Sequence, residues 1–259
     1  MRFGVDMLKH LRDFPLVIFV VSLLGLWLSA QLGVFLRKKL RPVEDEERKD
    51  LVTLEAATLS LLGLIVAFSF SMAIGRYDQR KNYEAQEANA IGTEYARADL
   101  LPLTDAEKAR RLLKEYLYQR IAFYETGNEG ELRRIAVITD GLETQLWSSV
   151  RSVAASQPTP TVALAAAGMN AVLDDRAYTQ AAWWNRIPLA AWDLMISIAV
   201  LCNVLMGYGA HRSATHLFLI LPLALSVSFL LISDLDSPRG GIIRVLPQNL
   251  SSLAESLQS

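Results

Sequence analysis

The stretch from Leu51 to Leu101 constrains this chain more than any other. Its first half, LVTLEAATLSLLGLIVAFSFSMAIG, is an apolar run of membrane length, and its second half, RYDQRKNYEAQEANAIGTEYARADL, is charged throughout. Nothing between them breaks a helix beyond the permissive Gly75 and Gly92. The two halves read as one long helix that leaves the membrane near Arg76 and continues into water as a stalk.

Three further apolar runs surround it: Pro15 to Leu36, Leu189 to Gly209, and His216 to Ile232. The first stops at RKKLR rather than at a small-residue cleavage site, so it reads as a span and not as a signal peptide. The chain is 52% hydrophobic over 259 residues, yet its middle is ordinary charged helical sequence. That distribution describes an all-α membrane protein with four transmembrane helices and a helical extramembrane domain between spans two and three. Residues 1–75 hold an amphipathic lead-in and two spans, 76–187 the extramembrane helices, and 188–259 the last two spans and a tail. A net charge of -1 gives no sign of nucleic-acid binding. The single cysteine, Cys202, excludes an intrachain disulfide.

Within the middle segment, Leu101-Pro102 ends the stalk. Thr104 with Glu107 has the spacing of a capping box and predicts a helix to about Thr126, with Gly127 as its C-cap. Asn128 with Glu131 predicts the next N-terminus. That helix runs to about Ser156, with Leu132, Ile135, Leu142, Leu146 and Val150 on its apolar face. Pro160 suits the first position of a third helix, which ends near Trp184. No period-two alternation is sustained, so no sheet is expected. The tail is weakly amphipathic through Leu250, Leu253 and Leu257. Four spans place both termini and the central domain on one side. Basic residues flank the spans on both sides and leave the orientation open.

On the second span, Thr53, Ala56, Ser60, Gly63, Ala67 and Ser71 recur at spacings of three and four and so share one face. The same count continues through Asp78, Ala85, Asn89, Gly92 and Ala96. A stripe of small, weakly polar residues either admits a close helix neighbour, in this chain or in another copy, or lines a polar path. Phe68 and Phe70 beside it are candidates for a hydrophobic constriction, or are packing residues. Arg76 and Arg80, one turn apart at the membrane exit, form an anion-attracting ring if several copies gather about an axis. The plainer alternative is that they reach headgroups and neighbouring carboxylates.

Asp234 and Asp236 could ligate a hard cation, or cap and pair at a helix end. His10, His211 and His216 are scattered and lack a third ligand. There is no phosphate loop, no metal-ligand spacing and no nucleophile elbow, so no cofactor, resident metal or enzymatic activity is expected.

The segments AFSFSMAIGRYDQRKNYEAQEANAIGTEYARADLLP, NRIP before the third span and DLDSPRGGIIRV after the fourth resemble a family of bacterial membrane proteins labelled bestrophin-like. More distantly the chain resembles the bestrophins, pentameric anion channels with four spans and an aromatic-lined neck on the second. The resemblance implies a multi-pass protein of the bacterial inner membrane, a homo-oligomer and chloride or other anions as cargo. It implies Phe68 and Phe70 as the neck, Ser60, Gly63, Ala67 and Ser71 along the pore, and Arg76 and Arg80 attracting anions. The acidic cluster of the animal calcium clasp has no counterpart here. The rival reading is a non-conducting membrane scaffold or sensor whose helical domain binds a partner.

Overall fold

A computed structural model describes residues 14–39, 45–209 and 219–258. The N-terminal amphipathic segment, both short connections and all three histidines lie outside the described residues. Those described form eight α-helices and one 3-10 turn, with no strand among them. They fall into two compact units, the residues up to Tyr77 with Arg186–Arg244, and Asp78–Asn185 with Val245–Ser259.

The first unit holds α1 (Pro15–Lys39), the first part of α2 (Asp45–Arg97), α6 (Leu189–Gly209) and α7 (Ile220–Asp236). Pro15 opens α1, and Pro222 sits in the first turn of α7, where a missing N–H costs nothing. α1 packs against α6 and α7. It runs parallel to α6, because Ile18 to Leu26 share a groove with Leu189 to Val200, while Gly33 meets Val204 to Tyr208. The crossing is glycine-dependent from both sides. A Cβ at Gly33 would lie 2.1 Å from the Val204 carbonyl oxygen, and one at Gly207 2.0 Å from that of Ala30. Such backbone approach is how helices gain packing energy where lipid removes the hydrophobic drive. Leu26, Leu62, Met195, Phe229 and Ile232 form the core, with Trp192 edge-on to Phe229 at 6.1 Å.

Three helical stretches, Pro15–Lys39, Lys49–Leu100 and Pro160–Gly209, are long and apolar enough to cross a membrane. Residues 185–188 divide the third, whose apolar half is α6. α7 is as apolar but only 17 residues long.

α2 is one helix of 53 residues, about 80 Å long, and passes through Gly75 and Gly92 unbroken. A 3-10 turn, Ala98–Leu100, and Pro102 end it. The second unit holds its last part with α3 (Leu103–Glu125), α4 (Glu129–Ser156), α5 (Pro160–Trp184) and the tail helix α8 (Gln248–Ser256). α3 packs on α4, α4 on α5, and α8 on α3. The tail helix therefore groups with α3, α4 and α5 and not with α6 and α7, which precede it in sequence. Ile135, Leu142, Leu146 and Val150 are buried along α4 as its periodicity predicts, and Leu132 is half-buried.

Two of the expected caps differ. α3 begins one residue before Thr104, with Pro102 in the cap position and no side-chain cap, so Thr104 lies inside the first turn and the capping box does not form. At its other end Thr126, extended, is the C-cap, and Gly127 follows it without a left-handed conformation. The other two N-termini are as predicted. Asn128 Oδ1 accepts from the N–H groups of Gly130 (2.8 Å) and Glu131 (3.1 Å), and Thr159 caps α5 ahead of Pro160.

Candidate pore-lining helix

The helical phase of α2 sorts its residues by rotation of about 100° per residue. Leu62, Ser69 and Ala73 are buried, with Ile65 and Val66 packed beside them. Ser60, Gly63, Ala67 and Ser71 are all exposed, and nothing lies within 4 Å of the Cβ position of Gly63. Along the apolar half of α2 the small-residue stripe is therefore not covered by any described helix of the same chain. Of the two neighbours the stripe could admit there, one within the protomer is excluded among the described residues. Ser60 donates to the Ala56 carbonyl at 2.8 Å and Thr58 to that of Leu54, which keeps their hydroxyls satisfied without water.

The aromatic pair flanks this stripe. Phe68 is 62% exposed and Phe70 36%. They stand about 80° to either side of the line through Ser60 and Ser71, so they cannot both point straight along its normal.

The arginines lie elsewhere. Arg76 and Arg80 are each about 160° from the stripe, on the opposite side of α2. Arg76 is half-buried, and Arg80 is enclosed within the protomer at 1% exposure. A ring in which the stripe and both guanidinium groups face one axis is not compatible with this phase. The exposed charges nearest the stripe line are Asp78, on it, and Lys81, about 60° away.

Asp234 and Asp236 are buried, and backbone donors take their oxygens. Asp234 accepts from the N–H groups of Ile242 (2.7 Å) and Ile243 (2.8 Å), and Asp236 from that of Ile187 (2.9 Å). A Cβ on Gly241 would come within 2.8 Å of Asp234 Oδ1. The carboxylates shape the DLDSPRGGII turn, which is the capping alternative and not the cation one. Among the described residues no three His, Cys, Asp or Glu side chains gather as a metal site.

The charged half of α2 carries groups whose roles its sequence does not reveal. Glu84 accepts from the backbone N–H of Asn249 and Leu250 at 2.9 and 3.0 Å, and from the Asn249 amide. It thus caps α8, whose own N-cap, Pro247, offers no side-chain acceptor. Glu87 is fully buried and accepts from Arg120 Nε at 2.5 Å, with the hydroxyls of Tyr124 and Thr179 at 3.2 and 3.4 Å. Burial pushes the Glu87 carboxyl up, while Arg120 and both hydroxyls pull it back. Burial alone would lower Arg120; the Glu87 carboxylate more than offsets this and leaves it raised, so the guanidinium stays charged. Glu94 is also buried, and neither carboxyl oxygen has a hydrogen-bond partner. Burial pushes it up to about 7, against the opposing charge of Arg97.

α2 has an apolar half of membrane length, with one face packed and one small face bare, and a charged half fixed by buried carboxylates. No curated protein sequence matches the chain. Its fold matches crystal structures of a bacterial bestrophin homolog from Klebsiella pneumoniae. A single-site variant of that homolog aligns with TM-score 0.64 and 13% identity over 93% of this chain and 94% of that one. A second structure of it, solved by zinc phasing, gives 0.63 and 14% over 92% and 95%. At that identity the likeness shows a shared fold. A family model for the Bestrophin-like domain matches residues 16–250, nearly the whole length, and the chain therefore belongs to the Bestrophin-like family.

Proposed function

We infer that copies of this chain assemble about an axis and that α2 lines a passive path for ions, with α1, α2, α6 and α7 as four spans. The observation that carries this reading is the bare stripe of Ser60, Gly63, Ala67 and Ser71 on a helix whose other face is packed. Facing hydrocarbon, these hydroxyls and the open backbone at Gly63 gain nothing. Around a symmetry axis they gain water and the close approach of an identical helix. Phe68 and Phe70 then narrow the path from the flanks of adjacent helices, as a hydrophobic constriction does. By family likeness the assembly is a pentamer in a bacterial inner membrane and the cargo is chloride or another anion. Arg80 then acts through its field from inside the protomer, and Arg76 from the far side of the helix.

Asp78 favours a second reading on the sign of the ion. It is exposed and on the stripe line, where a ring of carboxylates attracts cations. Lys81 opposes it from about 60° away.

Purified protein in sealed liposomes under a chloride gradient tests both. Conduction with a reversal potential near that of chloride supports the anion path, and one near that of the counter-cation supports the second reading. A monomer or dimer that is electrically silent contradicts both and favours a membrane scaffold.

A further inference from the structure

A groove between α1, α6 and α7 is separate from the α2 stripe. It has a volume of about 280 Å³, roughly twice that of an apolar cavity of about 150 Å³ that holds benzene. Ile18, Val21, Leu26, Ile196, Val200 and Phe229 make it almost wholly apolar. The polar exceptions are Ser22, whose hydroxyl donates to the Phe19 carbonyl, and Asp193. Asp193 is the only charged residue of α6, and it lines the groove one turn into that helix.

α1 carries no charge before Arg37, and the carboxylates of α7 are occupied by backbone N–H groups. Among the described residues Asp193 has no hydrogen bond or ion pair, and it is exposed. A carboxylate exposed at the mouth of an apolar groove is complementary to a ligand whose cationic end meets it while an apolar part enters the groove. Such a ligand is cationic at one end and apolar along its length. A bilayer lipid with a primary ammonium head meets both conditions, because its three N–H donors make charge-assisted hydrogen bonds to the carboxylate while an acyl chain fills the groove.

We propose that the groove between α1, α6 and α7 binds one ammonium-headed lipid per chain, of the phosphatidylethanolamine class, with its head on Asp193. The site does not depend on whether the assembled protein conducts.

The test is native mass spectrometry of the full-length protein released from nanodiscs of equimolar phosphatidylethanolamine and phosphatidylglycerol. The expected result is one phosphatidylethanolamine retained per chain at collision energies that strip phosphatidylglycerol. Asp193→Asn should weaken phosphatidylethanolamine retention about tenfold and leave phosphatidylglycerol unchanged, a tenfold change being about 1.4 kcal/mol. Should that variant fail to assemble, the wild-type protein in phosphatidylcholine supplies the same comparison, since a trimethylated head cannot donate to the carboxylate. Retention should then fall as it does in the variant. Equal retention of the three lipids, retention unaffected by Asp193→Asn, or no lipid held at all because a second copy covers the groove would each overturn the proposal.

Discussion

Glu94 fills the space that a side chain on Gly168 would need. A Cβ at Gly168 would lie 2.0 Å from Glu94 Oε2 and 2.7 Å from the Arg97 guanidinium. The buried carboxyl on α2 and the glycine on α5 are thus one packing unit. Gly168→Ala should destabilise the helical domain by about 1–3 kcal/mol, the usual cost of overpacking a filled site. Thermal unfolding of the variant in detergent should show the loss. A variant as stable as the wild type would mean that Glu94 swings clear at no cost.

The same carboxyl makes stability depend on pH. Glu94 is raised to about 7 in the folded chain from an ordinary value of 4.5. The folded protein therefore holds a proton that the unfolded chain has released between those values. The stabilisation is fully present below pH 4.5 and is lost as pH rises through about 7, on the order of 3 kcal/mol in all. Glu94→Gln should remove that slope and melt higher than the wild type at pH 8. A wild-type melting temperature that rises between pH 5 and 7 with the variant unchanged in slope would contradict this assignment.

Glu84 holds the tail helix by its N-terminus. Two backbone N–H groups and one side-chain amide of α8 converge on its carboxylate. Glu84→Ala should leave those donors uncapped at a cost of about 1–2 kcal/mol. Hydrogen exchange at Asn249 and Leu250 should rise by at least tenfold while the amides of α4 stay protected. Exchange unchanged at both positions would assign the docking of α8 to its apolar residues alone, the buried Leu250 and the Leu253 that meets Gly92.

The parallel crossing of α1 and α6 should be the least tolerant point of the first unit. Gly207→Ala places a methyl 2.0 Å from the Ala30 carbonyl oxygen, a backbone atom that cannot rotate away. The helices must separate, and the yield of folded protein from membranes should fall several-fold. Gly25→Ala, with nothing within 4 Å, should express normally and serves as the control.

Much of this architecture is legible in the residues because it rests on periodicity and breakers. The limits Leu189 and Gly209 of α6, the Asn128 cap and the Pro160 start all follow from local chemistry. The continuity of α2 follows from the absence of any strong breaker. What local chemistry conceals is the burial of charge. Arg80, Glu84, Glu87 and Glu94 lie on a polar helix whose charges read as solvated; the partners of Glu87 and Glu84 are 33 to 166 positions away, and Glu94 packs on Gly168, which has no side chain to announce it. Arg80 in particular has the sequence of a pore-mouth cation and the environment of a core residue. Asp234 likewise has the look of a cation ligand, and only the return of Ile242 and Ile243 shows what it binds. Thr104 has the right spacing for a cap, but the φ-restricted Pro102 starts the helix earlier.

The central claim is that the bare face of α2 meets an aqueous ion path in the assembled protein. It is tested most directly by single cysteines on that helix in a Cys202→Ser background, with a membrane-impermeant thiol reagent applied during ion flux. Ala67→Cys and Ser71→Cys, on the bare face, should be modified and should lose most of their flux, whereas Ala73→Cys, on the packed face, should not react. Flux that persists after complete modification at Ala67 and Ser71, or an absence of modification at either in a conducting oligomer, would contradict the account.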